Sequence, residues 1–234
     1  MTLLTMCQNT AEEVGFSKPD TIISNTDATA VRLLRHAART GAIMATKNWQ
    51  ELIKTHSFST SASEPQYSLP SDYRSMIPGT MWNQTTDTEI FLIGPRRWSY
   101  EKSVVTSNYY DRYRLLGNDS GPSIGSLFTI HPTPDAAETI IYEYYSKNWM
   151  TNAAADTEQS AFALDSDLVI FDEDLFEMGM IWRLLKTLGQ PYGEERAEFD
   201  RQQEISLAQS GTTGTLHADG NTATLSNIPE TGFG

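Results

Sequence analysis

Asp27–Trp49, DATAVRLLRHAARTGAIMATKNW, is the longest helical pattern in the first half of the chain, and the other elements are placed around it. Val31, Leu34, Ala38, Ala42, Ala45 and Trp49 recur at steps of three and four, the spacing of one face of an amphipathic helix. Thr26 or Asp27 supplies the N-cap oxygen. The apolar stripe is mostly alanine, so a second helix can approach closely. The other face carries Arg32, Arg35 and Arg39, a basic stripe on an acidic chain. At its simplest this is a core helix with a solvated charged face. The sharper expectation is that these arginines meet acidic surface on a neighbouring subunit.

Outward from this helix, composition sets the bounds. A chain of 234 residues, 39% hydrophobic and 20% charged, fills a full globular core in one domain, or in one domain with an insert. The net charge of −13 repels nucleic acid overall and leaves no basic footprint for binding it. From Thr151 onward there are 15 Asp and Glu against 4 Lys and Arg; before it the two signs nearly balance. The single cysteine, Cys7, excludes a disulfide within the chain and reads as a buried thiol in a reducing compartment. No apolar run has bilayer length, and the start, MTLLTMCQNTAEEVG, lacks the basic region of a signal peptide. The expectation is a protein made in a cytoplasm, with no membrane partner.

Before the long helix, Leu3, Leu4, Cys7, Ala11 and Val14 share one face of a first helix that Gly15 ends. After Trp49, ELIKTHSFST, TEIFLIG, DRYRLL, SLFTIHP and ETIIYEYYSKNW read as strands. Pro95 opens a helical turn holding Trp98 and Tyr100, and residues 51–150 form a small antiparallel β-domain rich in Tyr and Trp. In ETIIYEYYSKNW, Ile140, Tyr142, Tyr144 and Ser146 alternate with Ile141, Glu143, Tyr145 and Lys147 on the two faces. TNAAADTEQSAFALD reads as a polar connector, with Asp165 and Asp167 solvated. FDEDLFEMGMIWRLLKTLG is a strong helix with acids in its first turn and an apolar face of Leu175, Met178, Trp182, Leu185 and Leu188. A weakly anchored helix follows through GEERAEFDRQQEISLAQS. The last segment has no Lys or Arg and is expected to be disordered alone. Its spaced apolar residues Leu216, Leu225, Ile228 and Phe233 suit a peptide lying extended on a partner.

No enzyme signature emerges. Gly121-Pro122-Ser123-Ile124-Gly125 matches G-x-S-x-G, but a serine elbow needs a strand before it and a helix after it, and here a polar turn precedes and a strand follows. His36, His56, His131 and His217 lie far apart without a Cys, His or carboxylate at ligand spacing, so no metal site is expected. No glycine loop for phosphate is present, and no cofactor is expected.

The order of short motifs carries a resemblance. Asp27, Ala30, Leu33, Leu34, Ala38, Gly41 and Lys47-Asn48-Trp49 are followed by Phe58-Ser59-Thr60 and by Tyr67-Ser68-Leu69-Pro70-Ser71-Asp72-Tyr73. Thr80-Met81-Trp82-Asn83 and Ile93-Gly94-Pro95 with Trp98 complete the series. Over roughly residues 1–150 the chain resembles the head-to-tail adaptor proteins of tailed bacteriophages and is similar to the podophage tail accessory factor.

The resemblance implies a structural virion protein at the head-tail junction, made in the host cytoplasm. It would form a ring, commonly of twelve copies, under the portal protein. That ring would extend the DNA channel without binding DNA sequence-specifically, and would present a platform to a tail nozzle or tail tube protein. The implied plan is α+β. N- and C-terminal helices (1–50 and 160–212) form a helical bundle body, the β-domain (51–150) is an insert, and an extended tail (213–234) follows. Trp82, Trp98 and Tyr100 would face the tail, the four tail residues would dock on portal, and Arg32, Arg35 and Arg39 would join subunits. The competing expectations are a tail tube or nozzle protein, and a tail-borne cell-wall hydrolase.

Overall fold

The computed structural model describes residues 1–104, 111–116 and 127–210. They form a mixed α+β structure. The helices are α1 (Leu3–Glu13), α2 (Ala28–Met44), α3 (Pro95–Val104), α4 (Glu173–Leu188) and α5 (Gly193–Gln209). Asp27 caps α2 by accepting hydrogen bonds from the Thr29 and Ala30 amides, and Asp172 caps α4 through the Leu175 amide at 2.8 Å. Gly189 ends α4 with φ of +73°, a conformation that glycine adopts without a Cβ penalty.

In both long helices most of the buried stripe lies one residue from its expected position, while Ala45, Trp49 and Leu175 are buried as expected. In α2 the core takes Ala30, Leu33, Ala37, Thr40, Gly41 and Met44, while Val31 is 49% exposed. In α4 it takes Leu175, Phe176, Gly179, Met180, Arg183 and Leu184. The reason is visible in the residues. Ala30-Val31, Leu33-Leu34, Ala37-Ala38, Gly41-Ala42 and Met44-Ala45 put small or apolar side chains on two adjacent stripes. The period is therefore fixed while the phase is open, and packing decides it.

α1, α2, α4 and α5 share one core, closed by Trp49, Trp149, Phe171 and Phe176. Trp149 lies against the backbone of Gly41, where a Cβ would overlap its ring. That ring is also stacked at 8° on Phe171 and at 26° on Phe176. The start of α1 is tied across the sequence: the Leu3 and Leu4 amides donate to the carbonyls of Asp167 and Asp165. The Asp165 carboxylate accepts from the Ile22 and Ile23 amides, and fully buried Asp167 accepts from the Ala163 and Leu164 amides. Asp165 thus ties the loop before α2 and Asp167 closes its own loop, contrary to the expectation of a solvated acidic stretch.

A 3₁₀ turn at Gln50–Leu52 leads into β1 (Ile53–Ser59), followed by β2 (Gln66–Ser68), β3 (Tyr73–Met76), β4 (Trp82–Asn83), β5 (Thr88–Glu89) and β6 (Phe91–Leu92). Beyond α3 come β7 (Arg112–Leu116), β8 (Leu127–His131) and β9 (Thr139–Ser146). β1, β9, β4 and β5 are consecutive neighbours in one sheet, with β3 also on β9; β2, β8, β7 and β6 form a second. β1 pairs antiparallel with β9 from Ile53↔Tyr145 to Ser59↔Thr139. The pairing is antiparallel except for β6 with β7, which is parallel. TEIFLIG is not one strand: the Ile90 amide turns back to the Met81 carbonyl and splits it.

Rings fill the space between the two sheets, with Phe58 edge-on to Phe128 at 5.3 Å and Phe128 edge-on to Tyr142 at 5.8 Å. The expected connector contains a third small sheet, β11 (Glu158–Gln159), β10 (Met150–Thr151) and β12 (Leu168–Val169). Met150 and Val169 of that sheet belong to the helical core.

A polar hub joins these layers. Asp72 accepts hydrogen bonds from Tyr144 and Ser146 at 2.9 Å each and from Lys54 at 3.0 Å; Lys54 also reaches Glu158 on β11 at 2.5 Å. Burial pushes the Asp72 carboxyl up, but these donors outweigh it and hold the group below its ordinary value. The Tyr144 hydroxyl is pushed up, by burial first and then by its bond to Asp72.

Candidate partner-facing surfaces

α2 places Arg32, Arg35 and Arg39 on its solvent side. None of the three forms an ion pair with an acid among the described residues, whereas Lys18, Lys54, Arg97, Arg196 and Arg201 all do. Half-buried His36 sits among the three arginines, with Nε2 3.2 Å from the Thr187 hydroxyl of α4. Burial holds its pKa below the ordinary imidazole value, helped by the positive charges of Arg183, Arg35, Arg39 and Arg32. At neutral pH it is therefore an uncharged member of a cationic cluster.

Sequence reasoning missed the other half of this cluster. Arg183 occupies a buried position of α4 with 5% exposure. Its Nη1 donates to the Gly179 carbonyl at 2.6 Å, and the guanidinium lies 4.2 Å from the Trp182 ring centre and 5.6 Å from that of Phe199. Gly179 makes the room: a Cβ there would come within 2.5 Å of Thr40 and 2.9 Å of Phe199. Burial, then the nearby charge of Arg39, pushes the Arg183 pKa down to about 10. Arg183 and Lys186 of α4 join His36 and Arg39 of α2 around a cleft of about 270 Å³, completed by Ile43, Trp182 and Thr187. The signal available in the sequence was an arginine inside an apolar helical stripe, four residues after a glycine.

The aromatic residues of the β-region separate. Trp82 is partly exposed on β4, and Tyr100 on α3 is 60% exposed beside a shallow apolar depression formed with Gly94, Pro95, Arg96 and Arg97. Trp98 is only 7% exposed and sits edge-on to His131 at 5.8 Å, so a single chain packs it inside instead of offering it to a partner. Leu216, Leu225, Ile228 and Phe233, and the Gly121–Gly125 motif, lie outside the described residues. Among the described residues no group of three or more His, Cys, Asp or Glu is placed to hold a metal ion, and no helix is long and apolar enough to cross a membrane. Cys7 is buried, and burial, with the charges of Asp165 and Glu177, pushes its thiol up to about 12.

Comparison with known families defines the class: a phage adaptor, a structural virion protein that works through contacts with other head and tail proteins. The chain belongs to the SU10 adaptor protein family, whose model matches residues 1–224, as fits a head-to-tail adaptor. No curated protein matches the chain.

Proposed function

We propose that the protein assembles as a ring, of twelve copies, between portal and tail, where it prolongs the DNA channel during packaging retention and ejection. The family match over residues 1–224 carries this reading. Residues 1–50 and 160–212 form the ring body as a helical bundle, 51–150 an inserted β-domain that meets the tail nozzle or tail tube through Trp82 and Tyr100, and 213–234 an extended tail. Leu216, Leu225, Ile228 and Phe233 of that tail dock on portal. The arginine face of α2 supports the ring part: three exposed cations with no ion-paired acid among the described residues suit the acidic surface of a neighbouring copy. A net charge of −13 suits a channel through which DNA must slide without sticking.

The test is to mix the full chain with purified portal rings and image the product by electron microscopy. A coaxial ring stacked on portal is expected, with its docking lost when residues 213–234 are removed. A folded, monodisperse protein that leaves portal bare would overturn the reading.

A further inference from the structure

Arg183 presents a chemical problem that its own chain leaves open. A buried cation needs an anion, or it is held at a cost in desolvation. Its guanidinium has a carbonyl at 2.6 Å and aromatic faces beside it, but no acid within ion-pair distance among the described residues. Asp200 favours its charge from farther off, yet the ion pair of Asp200 is with Arg196 at 3.6 Å. Even with its pKa pushed down to about 10, Arg183 remains a cation at neutral pH. Arg39 and Lys186 line the same cleft, His36 and Thr187 add polar groups, and no carboxylate is among the lining residues.

We infer that this cleft is the socket for one Asp or Glu side chain from a second copy of the chain. The inference rests on the ring reading above and names the contact at its centre. Three observations select this occupant. A cleft of about 270 Å³ admits a side chain, not a nucleic acid duplex. Guanidinium groups match a planar carboxylate with two parallel hydrogen bonds, and the Trp182 wall lowers the local dielectric and strengthens the pair. Arg39 belongs both to the cleft and to the exposed stripe with Arg32 and Arg35, so the socket continues that face. A basic socket on one side of each copy and an acid on the other make a head-to-tail contact, the kind that closes rings.

The experiment uses full-length protein assembled on portal rings from equal parts of ¹⁴N- and ¹⁵N-labelled copies. The rings are treated with a zero-length carbodiimide, and the links are mapped by mass spectrometry. The expected product joins Lys186 to an Asp or Glu of the differently labelled copy. The double variant R39E/K186E, altered at exposed positions, should melt like the parent and assemble at least tenfold more weakly. Rings that form with no inter-copy link at Lys186, and that R39E/K186E forms equally well, would overturn the socket and leave the ring reading standing. Failure of any ring to form would remove both. Duplex DNA that binds the parent at physiological salt, but not R39E/K186E, would overturn the socket in favour of a phosphate site.

Discussion

The core shared by α1, α2, α4 and α5 sets small α2 residues, Ala30, Ala37 and Gly41, against leucines and the rings of Trp149, Phe171 and Phe176. The core between the two larger sheets sets the rings of Phe58, Tyr67, Phe128, Tyr142 and Tyr144 beside Met76, Met81, Ile90, Ile130 and Ile140. At Gly41 the first depends on close approach of the Trp149 ring, so added volume damages it. Beside the second, the Asp72 carboxylate is the shared acceptor of Tyr144, Ser146 and Lys54, so a removed group damages it. The two regions therefore fail in opposite directions, one on gaining volume at Gly41 and the other on losing the Asp72 acceptor.

The largest effect should come from Gly41→Val. Its Cβ would overlap the Trp149 ring, which its stacking on Phe171 and Phe176 prevents from moving aside. A loss of about 3 kcal/mol or more is expected in urea unfolding. A loss under about 0.5 kcal/mol, the scale of a surface change, would break the contrast. Asp72→Ala should cost about 2–3 kcal/mol, because Tyr144, Ser146 and Lys54 lose their shared acceptor.

The same residue sets a pH signature. The folded Asp72 carboxyl lies below its ordinary value near 3.8, so its contribution is present above that pH. It is lost as pH falls through the folded value. Asp72→Asn should flatten the acid limb of stability against pH; an unchanged limb would remove Asp72 as the hub. A smaller effect, about 1 kcal/mol, is expected for Asp172→Ala, which deletes the α4 cap without touching either core's packing. Thermal melts of this variant measure how much of the helical region depends on local structure.

The sequence made the alternation of β9 legible and the phase of the long helices not. On β9 the two sets alternate as expected, with Ile140, Tyr142, Tyr144 and Ser146 buried and Glu143 on the other face. On α2 and α4 both candidate stripes are apolar or small, so nothing local chooses between them. Arg183 adds to the difficulty: a charged residue argues for the solvent side, and only its neighbours Gly179, Trp182 and Phe199 make its buried place tolerable. The arginine stripe of α2 was legible because three like charges share one face without acids between them. The α4 half of the cleft was not, since it depends on which α4 stripe meets α2. The sheet at 150–169 escaped notice because its strands are two residues long and its order comes from Asp165 and Asp167 accepting backbone amides.

Ala30, Leu33, Ala37 and Gly41 of α2 belong to the core, and the ring contact proposed above falls to Arg32, Arg35 and Arg39 of the same helix. The most direct test is the triple variant R32E/R35E/R39E, followed by thermal melting and by mass photometry with portal at moderate salt. The expected result is a melt within about 0.5 kcal/mol of the parent and no rings. Rings that persist in the folded triple variant would contradict the assignment.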